Sequence, residues 1–300
     1  MKILAVVVTH NRCALLRRCV EHLLAQARAP DGILVVNNAS TDDTVPMLES
    51  LGVPFVTQEN VGSAGGWHRG IAHALDQGYD AVWLMDDDGF PDVGALAALE
   101  PALEPHVACV SSIVVREDDP GRFVFPFPIL DPRGLPVLVR AQRKIGEVAG
   151  LEAVAQGGTY PFAHFFNGAL IATSAVRAIG NVERDFFIFG DEVDYFFRLR
   201  AVGAVHSVLA ARHYHPDVSQ RPYTEAKVYY YLKNTMILNR RYFDAVGPRN
   251  AVAVAAVLVR TAQRNGLAEA ASYVAGSRAP TFYRAIVRGL QGRVGKDLHA

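Results

Sequence analysis

The sequence has little cysteine and no long apolar run. Its three cysteines, Cys13, Cys19 and Cys109, are odd in number and lack the spacing of a metal site. We therefore expect reduced, buried thiols in a cytoplasmic protein, which excludes a disulfide framework. The apolar stretch from Ala251 to Val259 falls far short of the roughly 20 residues that cross a bilayer. The run from Ile3 to Val8 is too short for a signal peptide and is better interpreted as a first strand.

An excess of charge of either sign is also missing. Lys and Arg together number 30, Asp and Glu together number 30, and the formal net charge is zero. A balanced chain is not expected to bind nucleic acid through bulk electrostatics. Of the 300 residues 50% are hydrophobic and 20% are charged, a composition typical of a globular protein with a sizeable core.

Strand and helix patterns alternate along the first two thirds of the chain. Apolar, β-branched runs predict strands, and apolar residues at helical spacing predict the helices that separate them. This alternation predicts an α/β fold with a mostly parallel sheet covered by helices. We expect one α/β domain over residues 1–220, with an irregular Pro- and Gly-rich insertion at about 116–160. A helical region packed on that domain is expected over residues 221–300.

Small polar residues follow three of the predicted strands. Thr9 and Asn11 follow the first strand, Asn37 and Asn38 end the second, and three aspartates, residues 86–88, end the fourth. The carboxyl ends of parallel strands lie along one edge of a sheet, where open α/β proteins bind their ligands. The three groups are therefore predicted to converge on one crevice.

The three adjacent aspartates suggest a bound cation. Each carboxylate opposes the ionisation of its neighbours, and a divalent cation held by oxygen ligands would offset that cost. In an extended segment Asp86 and Asp88 lie on one side and Asp87 lies on the other. Asp86 and Asp88 are therefore predicted to bind the metal. His213 or His215, after a late strand, is a candidate third ligand. The alternatives are a solvated acidic loop for the aspartates and a solvent-facing or capping imidazole for each histidine.

A glycine-rich segment, residues 62–70, opens a predicted helix. It lacks the Lys-Ser/Thr ending of a P-loop and the spacing of the dinucleotide fingerprint. Gly65 and Gly66 would let the backbone approach a phosphate at a helix N-terminus, or they simply allow close packing. Arg69 is expected in the first helical turn, where a cation opposes the helix dipole, and this suggests that Arg69 binds a phosphate or a carboxylate. Trp67 is either a core residue or a surface on which a sugar stacks.

A second acidic stretch lies late in the predicted α/β domain. Asp191, Glu192 and Asp194 follow Gly190 and begin a predicted helix. A carboxylate in this stretch has the chemistry of a general base. The structural alternative is that Asp191 caps the helix.

Five segments occur in the order seen in family 2 inverting glycosyltransferases with the GT-A fold, which the sequence resembles over about residues 1–243. The segments are Val8-Thr9-His10-Asn11-Arg12, Val36-Asn37-Asn38-Ala39-Ser40-Thr41-Asp42, Asn60-Val61-Gly62-Ser63-Ala64-Gly65-Gly66, Asp86-Asp87-Asp88 and Gly190-Asp191-Glu192-Val193-Asp194. The aspartate triplet, and the glycine pair followed by Arg69, most resemble the galactofuranosyltransferase and rhamnosyltransferase branches.

The resemblance implies a role for individual residues. Asp86 and Asp88 would hold Mn²⁺ or Mg²⁺ with His213, Asp87 would face the sugar, and Asp191 or Glu192 would be the base. The implied nucleotide-binding residues are Thr9, Asn11, Asn37, Asn38, Gly65, Gly66, Arg69 and Asp86. Asn37 stands where many members carry Asp, which leaves the choice of UDP or dTDP open. Tyr230, Lys233 and Asn234 resemble a helix near the site.

The expected activity is metal-dependent transfer of a galactofuranose- or rhamnose-type sugar, with inversion, from a nucleotide-diphosphate sugar. The expected acceptor is a hydroxyl on a glycan or a lipid-linked glycan. The rival predictions are a sugar nucleotidyltransferase and a sugar-nucleotide- or glycan-binding protein without catalysis. The Ala-rich stretch from Ala251 to Val259, flanked by arginines, is interpreted as a peripheral contact with the inner face of the plasma membrane, as core packing or as a homo-oligomer interface.

Overall fold

The structure, a computed structural model, describes residues 1–138, 142–219 and 221–298. The chain divides into two compact units. The first, here called the sheet unit, contains Met1–Arg184 and Tyr195–Asp217. The second, called the helical unit, contains Asp185–Asp194 and Val218–Ala300. The boundary predicted at residue 220 falls on a residue outside the described part of the chain, and the domain assignment stays a prediction.

The described residues form the following strands and helices. The strands are β1 (Ile3–Thr9), β2 (Gly32–Asn38), β3 (Phe55–Gln58), β4 (Ala81–Asp86), β5 (Phe90–Pro91), β6 (Val107–Arg116), β7 (Arg122–Pro128), β8 (Lys144–Glu147), β9 (Thr159–Tyr160), β10 (Asn167–Ala172) and β11 (Ala204–His215). The helices are α1 (Cys13–Leu24), α2 (Thr44–Leu51), α3 (Gly62–Asp76), α4 (Ala95–Leu99), α5 (Val148–Glu152), α6 (Thr173–Ile179), α7 (Asp191–Arg200), α8 (Glu225–Tyr242), α9 (Val246–Asn265), α10 (Leu267–Ala275) and α11 (Ala279–Leu290).

The central sheet is mixed, and its strand order is β3-β2-β1-β4-β10-β6-β11-β5. Four neighbouring strands, β3, β2, β1 and β4, pair in parallel in that order, and β6 and β11 also pair in parallel. Strand β10 is antiparallel to both β4 and β6. Two successive antiparallel pairings restore the direction of β4 in β6 and β11. The carboxyl ends of β1, β2, β4 and β11 therefore lie at one edge of the sheet.

Strand β1 shows why the central strands consist of continuous apolar residues. All seven of its residues are buried, because helices cover both faces of the sheet. Val7 belongs to the cluster that contains Leu16 and Val20 of α1. Val6 belongs to the cluster that contains Ile71 of α3. The predicted α/β architecture, with helices on both faces of a mixed sheet, is confirmed.

The predicted irregular insertion contains a small antiparallel pair. Strands β7 and β8 pair with each other, and β7 also pairs with β6 of the central sheet. Their apolar residues, including Phe127 and Ile145, form a separate cluster with Ile113 of β6. Part of the segment that joins β7 and β8, residues 139–141, lies outside the described residues.

The helical unit has its own core. Tyr229, Tyr230 and Met236 of α8 pack with Val257 of α9 and Phe282 of α11. The stretch from Ala251 to Val259 therefore buries one face in this core, as the packing interpretation predicts. Across the described residues, no helix combines the length and the apolar character needed to cross a membrane.

All three cysteines are free thiols, as expected. Cys19 and Cys109 are buried, whereas Cys13 is half-buried at the start of α1.

Candidate active site

Three strand ends of the sheet unit meet at one edge, as the sequence predicts. Thr9, at the end of β1, donates a hydrogen bond from Oγ1 to Asp87 Oδ2 at 2.7 Å. Asn11 accepts a hydrogen bond from the backbone N of Thr41, after β2, at 2.7 Å. Asn11 adopts a φ of 53°, a left-handed conformation that asparagine tolerates better than most residues. These contacts tie the loops after β1, β2 and β4 together.

Arg12 compensates the charge of the aspartate triplet. Its Nη1 lies 2.9 Å from Asp87 Oδ1 and 3.0 Å from Asp88 Oδ2. Asp87 is 3% exposed, and burial raises the pKa of its carboxyl, although Arg12 and the hydroxyl of Thr9 act in the opposite direction. The sequence analysis did not assign this role to Arg12. Its position directly after a polar strand end was the available signal.

The predicted division of the triplet by strand pleat is wrong. Strand β4 ends at Asp86, and Asp87 and Asp88 lie in a turn. Both carboxylates reach the same guanidinium nitrogen of Arg12. Alternation applies only to extended backbone, so it cannot assign opposite sides to these two residues. The predicted roles, metal binding by Asp88 and sugar contact by Asp87, stay predictions without that argument.

Two histidines of β11 lie near Asp88, and they differ in their contacts. His215 Nε2 is 3.0 Å from Asp88 Oδ1. His213 is fully buried, and burial lowers its pKa to about 3. Among the described residues neither ring nitrogen of His213 has a hydrogen-bond partner. The side chain that touches the carboxylate is thus His215, and the metal-binding role predicted for His213 stays a prediction.

The residues present have the chemistry of a divalent-cation site. Carboxylate oxygens of Asp86 and Asp88 and a neutral imidazole are suitable ligands for Mg²⁺ or Mn²⁺. The unpaired nitrogens of His213 are free to accept such a role. Within the described part of the chain, however, no three His, Cys, Asp or Glu side chains are already arranged to hold a metal ion.

The asparagines predicted to bind nucleotide organise the loops around the edge. Asn37 is fully buried, and its Oδ1 accepts a hydrogen bond from the backbone N of Ser40 at 3.0 Å. Asn38 donates to the carbonyl of Gly62, at the start of α3, at 3.2 Å and accepts from Gln58 at 2.8 Å. Asn37 holds the loop after β2, and Asn38 connects β2 to β3 and α3. The nucleotide contacts of both residues stay predictions.

The glycine-rich segment supports packing more directly than phosphate binding. A Cβ on Gly66 would lie 2.5 Å from Val8 Cγ1 of β1, and one on Gly65 would lie 2.3 Å from Val61 Cγ2. Gly66 therefore lets α3 approach the sheet closely, whereas Gly65 makes room for the side chain of Val61 at the start of the same helix. Phosphate contacts by Gly65 and Gly66 stay predictions.

Two other expectations for α3 need correction. The helix begins at Gly62, so Arg69 is an exposed residue well inside the helix and not in its first turn. The dipole argument for phosphate binding by Arg69 therefore fails. Trp67 is fully buried and stacks on Phe166 with ring centroids 4.6 Å apart. It is a core residue and offers no surface for the predicted sugar contact.

The predicted acidic turn begins a helix, as expected. Helix α7 starts at Asp191, and its first four residues belong to the helical unit. Glu192 Oε2 accepts a hydrogen bond from the backbone N of Gly190 at 2.9 Å, so Glu192 binds a free amide at the helix start. Asp191 is 2% exposed. Asp194 accepts hydrogen bonds from Arg241 at 2.9 Å and from Tyr242 at 2.6 Å.

Comparison with known proteins assigns the chain. The model of Glycosyl transferase family 2 matches residues 4–144. Galactofuranosyltransferase GlfT1 of Mycobacterium tuberculosis is 40% identical over 223 residues, which cover 71% of this chain and 70% of that protein. The chain belongs to glycosyltransferase family 2, in the galactofuranosyltransferase branch. GlfT1 of Mycolicibacterium smegmatis is 36% identical over 219 residues, with the same coverage of both chains.

Solved structures support the fold of this glycosyltransferase. A mannosyltransferase from Pyrobaculum calidifontis, determined with GDP-Man and Mn²⁺, matches with a TM-score of 0.55 at 18% identity, over 96% of this chain and 80% of that one. Residues 1–349 of TarS from S. aureus match with a TM-score of 0.57 at 12% identity, over 97% and 81% of the two chains. The predicted GT-A fold and the predicted glycosyltransferase class are confirmed.

Proposed function

We propose that this glycosyltransferase moves a galactofuranosyl residue from a nucleotide-diphosphate donor to a hydroxyl of a glycan or lipid-linked glycan, in the synthesis of a cell-wall polysaccharide. The observation that carries the choice of sugar is the 40% identity to a galactofuranosyltransferase over 223 residues. A rhamnosyl donor is the alternative from the same resemblance. The acceptor oxygen forms a bond to the anomeric carbon while the bond to the diphosphate breaks on the opposite face, so the configuration inverts.

The donor diphosphate is assigned to the edge of the sheet unit. Asp86 and Asp88 would hold Mn²⁺ or Mg²⁺ there, with His213 or His215 as the nitrogen ligand. A bound divalent cation supplies Lewis-acid neutralisation of the departing diphosphate. Support comes from the contacts at this edge. Asp87 and Asp88 both pair with Arg12, and Asp88 also contacts His215. Arg12 offsets part of the carboxylate charge at this edge.

The general base that removes the proton of the acceptor hydroxyl is assigned to the acidic turn, residues 191–194. A general base needs a carboxylate that can approach the hydroxyl. Asp191 is 2% exposed, whereas Glu192 is half-buried. Exposure favours Glu192 as the base and a structural role for Asp191. Separate variants, Asp191→Asn and Glu192→Gln, will distinguish them, since only the base variant keeps nucleotide binding while it loses transfer.

A donor screen tests the proposed function. Purified protein is heated with a panel that includes UDP-galactofuranose and dTDP-rhamnose, each with Mn²⁺ or with EDTA, because a ligand of the folded state raises the melting temperature. Donors that stabilise the protein are then assayed for release of the nucleoside diphosphate in the presence of glycan acceptors. We expect UDP-galactofuranose with Mn²⁺ to give the largest shift and to be turned over.

Other results would overturn the proposal. Release of pyrophosphate from a nucleoside triphosphate would identify a nucleotidyltransferase. Stabilisation by sugar nucleotides without release of a nucleoside diphosphate under any acceptor condition would identify a binding protein. Turnover of dTDP-rhamnose alone would correct the sugar while keeping the reaction class.

A further inference from the structure

The loop before the acidic turn has an unusual backbone. Phe187 and Phe189 have φ values of 67° and 59°, and Gly190 has a φ of 96°. Left-handed conformations are unfavourable for residues other than glycine. Such a loop persists only when surrounding groups hold it in place, so the contacts that hold it determine where α7 begins.

Asn234 of α8 supplies these contacts. Its side chain is 1% exposed, and Nδ2 donates to the carbonyl oxygens of Phe186, Ile188 and Phe189 at 3.2, 3.0 and 2.7 Å. The two N–H groups of this amide are shared among three main-chain carbonyls of the strained loop, and the carbonyl of Phe186 also accepts from the backbone N of Ile188 at 2.9 Å. Buried carbonyls without a donor are unfavourable, and this makes the loop conformation dependent on Asn234.

Gly190 fits the same arrangement. A Cβ on Gly190 would lie 3.1 Å from Cβ of Asn234 and 3.1 Å from Cδ1 of Leu238. The positive φ favours glycine, and an added Cβ would be crowded against α8. The backbone N of Gly190 donates to Glu192, and its carbonyl accepts from the backbone N of Asp194 at 2.9 Å. A shift of Gly190 would therefore move the acidic turn.

Helix α8 also holds the acidic turn from a second point. Arg241 and Tyr242, which follow Asn234 along α8, both donate to Asp194 Oδ1. Asp191 and Glu192 lie in the chain between these two attachments. The segment from Phe186 to Asp194 is therefore fixed at its beginning by Asn234 and at its end by Arg241 and Tyr242.

We propose that Asn234 is a positioning residue for the general base of the proposed glycosyl transfer. It holds the carbonyls of the preceding loop and thereby sets the orientation of the first turn of α7. This inference rests on the proposed function, because it assigns the base to the acidic turn. The residues proposed to bind the donor belong to the sheet unit and Asn234 belongs to the helical unit, so loss of Asn234 should lower kcat and leave the KM for the donor unchanged.

The test compares Asn234→Leu with Asn239→Leu. Asn239 is a second buried asparagine of α8, and its Nδ2 donates to Asn250 of α9 at 2.9 Å, away from the acidic turn. Each variant replaces one buried amide of the same helix by leucine, so the two substitutions are chemically matched. A misplacement of the base by about 1 Å lowers the rate by on the order of 100-fold, and we expect a loss of this size in kcat for Asn234→Leu only.

Three measurements are made on each variant: kcat, the KM for the nucleotide sugar, and hydrogen exchange of peptides that cover residues 186–194. The expected result for Asn234→Leu is a low kcat, an unchanged KM and faster exchange in that segment. Equal kcat values in the two variants, or equal exchange, would overturn the inference. If Asn234→Leu does not fold, Asn234→Ser is judged by the same criteria, because a hydroxyl carries one hydrogen and cannot donate to all three carbonyls.

The hydrogen-exchange measurement separates this inference from the proposed function. If the wild-type protein transfers no sugar from any donor of the panel, the proposed function fails. In that case faster exchange over residues 186–194 in Asn234→Leu still shows that Asn234 fixes the acidic turn. If the wild type is active and only the exchange result is negative, the positioning role fails alone.

Discussion

Two buried carboxylates, those of Asp87 and Asp88, are stabilised by Thr9, Arg12 and His215. Asp87 and Asp88 are 3% and 5% exposed, and buried charges are strongly unfavourable unless they are paired and hydrogen-bonded. Asp87 accepts a hydrogen bond from Thr9 and pairs with Arg12, while Asp88 pairs with Arg12 and contacts His215. At the residue scale, the edge of the sheet unit is therefore a site where negative charge is concentrated and partly neutralised.

Asp88→Asn should abolish most of the divalent-dependent turnover of the nucleotide sugar. Because the amide cannot supply a charged oxygen ligand, we expect a loss of about 100-fold or more in kcat/KM. Release of the nucleoside diphosphate is measured over a Mn²⁺ titration. Asp118→Asn is the control, since Asp118 pairs with Arg116 at the surface with its side chain 61% exposed. Wild-type dependence on Mn²⁺ in Asp88→Asn would rule out the metal role of Asp88.

His164 is expected to make the stability of the fold depend on pH. Its Nε2 is buried without a hydrogen-bond partner among the described residues, and rings of Phe125, Phe127 and Phe162 surround it. Burial lowers the pKa of His164 from 6.5 to about 3. Between these values the unfolded chain binds the proton and the folded chain does not, so the free energy of unfolding falls as the pH falls below about 6.5.

His164→Asn should remove this contribution. The difference in the free energy of unfolding between pH 7.5 and pH 5.5 is expected to shrink by about 1 kcal/mol. Urea denaturation at the two pH values measures the difference, and it is the change with pH that matters, since the substitution also alters packing. His106→Asn, at a position 74% exposed, is the control. An unchanged pH dependence in His164→Asn would show that other groups cause the acid loss.

At the scale of elements, glycines determine how closely α3 approaches the sheet. A Cβ on Gly70 would lie 2.3 Å from Val6 Cγ1 of β1, and the equivalent atom on Gly66 would lie 2.5 Å from Val8. A helix that packs this closely leaves no room for even one methyl group. Gly66 of the sequence motif thus packs against the sheet on the same helix face as Gly70.

Gly70→Ala should destabilise the sheet unit by about 1–3 kcal/mol, because the added methyl forces the helix and strand apart. Thermal or urea unfolding measures the change. Gly146→Ala, where a Cβ would meet no atom within 4 Å, introduces the same methyl without a clash and should be nearly neutral. Equal unfolding midpoints for the two variants would contradict the close packing of α3 on β1.

At the scale of the whole molecule, the end of the chain completes the core of the helical unit. Lys233 is fully buried, and its Nζ lies 3.2 Å from Asp297 Oδ1 and donates to the carbonyl of Gly295 at 2.8 Å. Arg288 also pairs with Asp297. Tyr230 donates to the carbonyl of Leu298 at 2.8 Å. Burial lowers the pKa of Lys233, and the carboxylate of Asp297 counters that effect.

Asp297→Ala should destabilise the helical unit by about 3 kcal/mol, because it leaves the ammonium of Lys233 buried beside Arg288 without its anion. The free energy of unfolding from urea titration measures the loss. A double variant, Lys233→Met with Asp297→Ala, should recover much of it, since the buried charge is then gone. Asp244→Ala is the control, because Asp244 pairs with Arg249 at a position 52% exposed. Equal stability of Asp297→Ala and Asp244→Ala would contradict the burial of this pair.

Local sequence patterns were enough to predict the strands, the helices and the edge where the polar strand ends meet. Apolar periodicity is a local property, so the buried strands such as Ile3–Thr9 and the helix that begins at Asp191 are close to their predicted places. The convergence of Thr9, Asn11 and the aspartates followed from parallel topology, which alternating strands and helices imply. The family resemblance added the reaction class, which the comparisons confirm.

The pairs of side chains that contact each other could not be predicted from the sequence and depend on how distant segments pack. Arg12 and Asp87 are 75 positions apart in the chain, and Asn234 and Phe189 are 45 apart; such pairs depend on strand register and helix packing, which periodicity does not encode. The prediction from strand pleat was wrong because β4 ends at Asp86, so Asp87 and Asp88 lie in a turn. Side-chain partners are set by the packing of distant segments, and for that reason the roles of Arg12, His215 and Asn234 emerge from the fold.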